Sequence, residues 1–81
     1  NFDYLTGKEK YKLTRNLIAI YLFIENKTLS EENIEREIRK KLSIEVGDLK
    51  NNLINKNFFK KYKNFYLKLE KETIKNATKQ E

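Results

Sequence analysis

Between Leu49 and Leu69 stand six lysines (Lys50, Lys56, Lys60, Lys61, Lys63, Lys68), five aromatics and no acid, so this window alone matches the chain's net charge of +6. Ammonium groups neutralise phosphates, while rings such as Phe58, Phe59, Tyr62, Phe65 and Tyr66 either pack a core or stack on bases. Just upstream, Asp48, Asn51, Asn52 and Asn55 have the i, i+3, i+4, i+7 spacing of one helical face. An Asn amide can make a bidentate contact to adenine, so this stripe, with Lys56 at its end, has the chemistry to read A·T-rich duplex in a major groove. The alternative is that three of ten Asn fall on a solvated face. The lysines have the same alternative. Fifteen Lys, ten Asn and eight Ile against three Arg and no Pro or Trp is the bias an AT-rich genome writes. That bias does not explain why twelve acids avoid residues 49–69.

Other chemistries lose their ingredients. Without Cys or His there is no disulfide, no thiolate ligand and no imidazole base. No Ser has a His to activate it, and two glycines make no phosphate-cradling loop. Glu31 with Glu35, and Glu32 with Glu35, have helical spacing, but a helix-start charge cluster explains them better than paired acid/base catalysis. No enzyme and no cofactor is expected. The longest apolar run, Leu17 to Ile24, is eight residues, far short of a membrane span, and the sequence carries no secretory leader pattern. The expectation is a soluble intracellular chain without a membrane partner.

The elements that would position these residues can be read from periodicity. After Gly7, the apolar positions Leu13, Leu17, Ile20, Tyr21 and Ile24 make a helical stripe, widened by Ile18, Leu22 and Phe23, which should form the core centre and stop near Asn26. A second helix begins at Ser30, followed by Glu31 and Glu32, with Leu29 placed to staple onto Ile34; it packs Ile34, Ile38 and Leu42. A third, with Ser43 as cap, carries the apolar edge Val46, Leu49, Leu53. Gly47 belongs in its first turn or where another backbone comes close. After Asn57, Phe58, Lys60 and Tyr62 alternate with Phe59 and Lys61, and Phe65, Leu67 and Leu69 with Tyr66 and Lys68; with Lys63-Asn64 as turn, this predicts a β-hairpin. Eighty-one residues make one small domain, with its core at about 8–69 and a polar tail or short helix at 70–81.

Three helices followed by a hairpin resembles the winged helix-turn-helix proteins. The run Asp48-Leu49-Lys50-Asn51-Asn52-Leu53-Ile54-Asn55-Lys56-Asn57-Phe58-Phe59, then Tyr66-Leu67-Lys68-Leu69, looks like a recognition helix, its apolar exit and a returning wing strand. The resemblance implies a mainly α fold with a two-stranded wing. It also implies that Asn51, Asn52, Asn55 and Lys56 face bases or phosphates and that Lys60, Lys61 and Lys63 sit in the wing. Three functions stay open, because folds do not fix functions. The first is a duplex-DNA binder such as a small transcriptional regulator, with a homodimer as one open form. The second is a protein-interaction module of a larger assembly, with Phe2, Tyr4 and Leu5 in an apolar patch. The third is an RNA or single-strand binder using Tyr62 or Tyr66, which would need those rings exposed.

Overall fold

The computed structural model describes residues 4–79, with side chains through residue 73. Four helices follow one another: α1 (Gly7–Ile24), α2 (Glu31–Leu42), α3 (Val46–Lys50) and α4 (Lys56–Lys79). Among the described residues there is no strand, so the two-stranded wing expected over residues 58–69 does not exist, and the fold is all-α. The same residues form the first half of α4, which also takes in residues 70–79 of the expected tail. Two features favour the helix. Phe58, Tyr62, Phe65 and Leu69 recur at helical spacing and turn inward. No Val, Ile or Thr occurs between Asn55 and Glu72, while Lys and Leu, both good helix formers, are frequent there.

α1 begins with a reciprocal cap. The Thr6 hydroxyl accepts from the Glu9 N–H at 3.2 Å, and Glu9 Oε1 accepts from the Thr6 N–H at 2.9 Å. These bonds, the backbone one first, hold the Glu9 carboxyl below its ordinary pKa. α1 ends where Asn26 turns left-handed (φ 57°) and the Lys27 N–H reaches back to the Leu22 carbonyl at 2.8 Å, as the sequence suggests. On α1 only Leu17, Ile18 and Leu22 are buried among the large apolar residues; Leu13, Ile20 and Phe23 remain exposed.

α2 starts at Ser30, whose hydroxyl accepts from the Asn33 N–H at 3.2 Å, and buries Ile34, Ile38 and Leu42 against α1, α3 and α4. Leu29 stays exposed. Ser43 is not the cap of α3. It closes α2 at φ 54°, and Glu45 precedes α3 without a side-chain cap bond. The core has two parts. Ile18, Leu22, Ile34 and Ile38 form one, and Leu42, Leu49 and Phe58 the other; Tyr11, Ile44 and Phe65 pack against both. Glu37 is also buried, and among the described residues its Oε1 has no hydrogen-bond partner, a cost the surrounding apolar packing must offset.

α4 runs alongside α1 in the same direction. Lys10 and Phe59 line one depression, and Ile20 and Thr73 another farther along both helices. The Tyr21 ring meets Phe65 edge-on at 5.5 Å between them.

Candidate nucleic-acid interface

The helix-turn-helix reading requires a recognition helix long enough to enter a groove. α3 has five residues and ends before the asparagines. Asn51 is its C-cap, and Asn52 adopts φ 61°. The Asn52 N–H bonds the Leu49 carbonyl at 3.0 Å and the Leu53 N–H bonds the Asp48 carbonyl at 2.8 Å, the paired bonds that close a helix on a left-handed residue. Leu53, expected on the apolar edge, is exposed.

The three asparagines therefore do not share one helical face. Asn52 Oδ1 accepts from the Lys10 ammonium at 2.7 Å, tying the end of α3 to α1. Asn55 caps α4: its Oδ1 accepts from the Phe58 N–H at 3.0 Å. Only Asn51 has a side chain without a structural duty in these bonds. Side-chain amides spent on capping are not available to base edges.

The lysines fare differently. α4 buries Phe58 and Leu69 and half-buries Tyr62 and Phe65, so its opposite face is outermost. Lys56, Lys60, Lys63 and Lys71 are exposed and fall within an arc of about 80° there, with Leu67 and Asn64 beside them. They span about 22 Å of helix axis. No acid occurs on α4 before Glu70. Lys61 and Lys68 leave this row. Lys61 lines a cleft of about 460 Å³ between α2 and α4 whose wall includes Arg39, Glu45 and Asp48, while Lys68 lies with Lys41, Glu25 and Glu72. Arg39 and Glu45 are paired at 3.1 Å, so that cleft is of mixed charge. Lys50 turns onto the Tyr11 ring, 4.5 Å from its centroid.

No protein-family model, curated protein or solved structure matches this chain. Its function must be argued from its own surface.

Lys56 and Lys60 stand at the start of α4, beside the positive end of the helix dipole, and no acid occupies the first turn. Cations there oppose the dipole and destabilise the helix. α2 shows the ordinary arrangement, with Glu31 and Glu32 first and Arg39, Lys40 and Lys41 last. The positive potential of the dipole and of the lysines therefore adds at one end of α4. Of the rings proposed for base stacking, Tyr62 is half-buried, tilted against Phe58 at 6.1 Å, and its phenol is pushed up in pKa by burial and then by Tyr66. Tyr66 is about half exposed.

Sequence reasoning missed Gly7 and Lys10, which hold α1 to the α3–α4 connection. The Thr6-x-x-Glu9 spacing announces the start of α1, but nothing local marks the buried ammonium of Lys10. Among the described residues no group of three His, Cys, Asp or Glu could hold a metal ion, and no helix is long and apolar enough to cross a membrane.

Proposed function

We propose that this protein binds duplex DNA through the phosphate backbone, laying the outer face of α4 along it without reading bases. The observation that carries this reading is the row Lys56, Lys60, Lys63 and Lys71, free of acids over its first three members and begun at the helix end where cations cost stability. Phosphate contacts supply affinity and position but no sequence information, which fits a chain whose Asn52 and Asn55 side chains are committed to helix ends. The role is that of a DNA-associated factor whose site selection, if any, comes from DNA shape or from a partner.

The test is fluorescence anisotropy with A·T-rich and G·C-rich duplexes and single-stranded RNA at about 50 and 200 mM salt. Both duplexes should bind alike, and affinity should fall steeply with salt. The triple variant Lys56→Gln, Lys60→Gln, Lys71→Gln, which spares Lys63, should lose one to two orders of magnitude at low salt on either duplex and flatten the salt slope by about 3. Absence of duplex binding at low salt, or a preference for the single-stranded RNA, would overturn the proposal.

A further inference from the structure

One face of the folded molecule stays apolar. Leu13 and Ile20 on α1 and Phe59 and Tyr66 on α4 are between 43% and 49% exposed. The two helices enclose a shallow cleft of about 240 Å³ whose lining includes Ile20, Tyr66 and Thr73 above Leu17 and Leu69. Contiguous exposed apolar surface on a small chain marks a contact surface.

We infer that this seam is a homodimer interface in which two copies pack α1 and α4 face to face, α4 antiparallel to its mate, with Lys63 of each copy opposite Glu70 of the other. The spacing supports helix-on-helix packing. Leu13 and Ile20 are seven residues apart, as are Phe59 and Tyr66, then Tyr66 and Thr73. A seven-residue repeat keeps one stripe of a helix against another helix.

Charge selects the second copy and its direction. Lys63 and Glu70, also seven apart, flank the stripe on its outer side, and both are exposed. Among the described residues neither is held by an ion pair. They lie equally far on either side of the Tyr66–Leu67 peptide bond. A two-fold axis crossing α4 at that bond therefore brings each Lys63 to the partner's Glu70, twice over. A parallel two-fold would run along α4 and carry the two Lys63 side chains to opposite flanks of the seam, leaving neither across from a Glu70. The antiparallel axis is perpendicular to α4, so it also leaves both outer lysine rows on the same side of the dimer.

Sedimentation velocity over the micromolar range, in buffer free of nucleic acid, tests this independently of DNA binding. The unaltered chain should show a concentration-dependent monomer–dimer equilibrium. Lys63→Glu or Glu70→Lys alone should weaken association about tenfold, because each reversal spoils two symmetry-related pairs. The double variant, Lys63→Glu with Glu70→Lys, should restore it. Ile20→Glu should abolish dimerisation with unchanged helical circular dichroism, since the side chain is exposed. A monomer throughout the range, indifference to Ile20→Glu, or a double variant as weak as the singles would each overturn the inference.

Discussion

Replacing Gly7 by Ala should destabilise the fold by about 3 kcal/mol, although Ala is intrinsically the better helix former by about 1 kcal/mol. Gly7 is buried at the first position of α1. A methyl group there would collide with the Lys50 carbonyl oxygen, and would stand 2.7 Å from that carbonyl carbon and 2.8 Å from the Asn52 nitrogen. These are backbone atoms at the closed end of α3, so relief requires α1 and α3 to separate, which opens the layer containing Leu49. For a chain of this size the total stability is on the order of 4–12 kcal/mol, so the loss is a large share of it. Gly47 provides the opposite case. It lies in the first turn of α3 with nothing within 4 Å of the added carbon, and Gly47→Ala should stabilise by about 0.5–1 kcal/mol. Urea unfolding of both variants decides the matter. Equal and favourable shifts would show that the α1–α3 approach is not as close as described.

Asn52→Ala should cost about 3 kcal/mol and leave DNA preference untouched. Two contributions add. The left-handed backbone at φ 61° suits Asn far better than Ala, by about 1 kcal/mol. The Lys10 ammonium, on a side chain only 3% exposed, loses the acceptor at 2.7 Å, and a lost bond to a buried charge costs about 1.5–3 kcal/mol. Asn52→Gly should recover the backbone part alone and fall between the two. Denaturant midpoints for the pair, set beside anisotropy on A·T-rich and G·C-rich duplexes, separate a structural asparagine from a base-reading one. A change in duplex preference at unchanged stability would return Asn52 to the interface.

The sequence made the first half of this fold legible. Ser30 with its following acids, the Ile34, Ile38, Leu42 stripe and the stop at Asn26 are local signals, and each acts locally in the structure. The second half was ambiguous for a physical reason. The doublets Phe58-Phe59 and Phe65-Tyr66 satisfy a period of two as readily as a helical stripe, since one ring of each pair turns inward in either geometry. What discriminates is the absence of β-branched residues across that stretch and the cap at Asn55. The adjacent Asn51 and Asn52 look like a face when counted at helical spacing. Asparagine's tolerance of left-handed backbone makes them a helix end instead. The lysine row needed no correct fold to be noticed, yet its membership did: Lys61 and Lys68 separate from Lys56, Lys60 and Lys63 only once α4 is seen to be helical. Gly7 and Lys10 were invisible because their partners lie more than forty residues away.

The lysines at the start of α4 would set the folding of the free chain at odds with the proposed attachment to a polyanion. Like charges crowd where the helix is already positive, so dissolved counter-ions relieve the free protein as they screen it. Rising ionic strength should therefore raise the unfolding midpoint while it releases the duplex. Under the proposed function, the free protein should be most firmly folded under the conditions that would loosen its hold on DNA most.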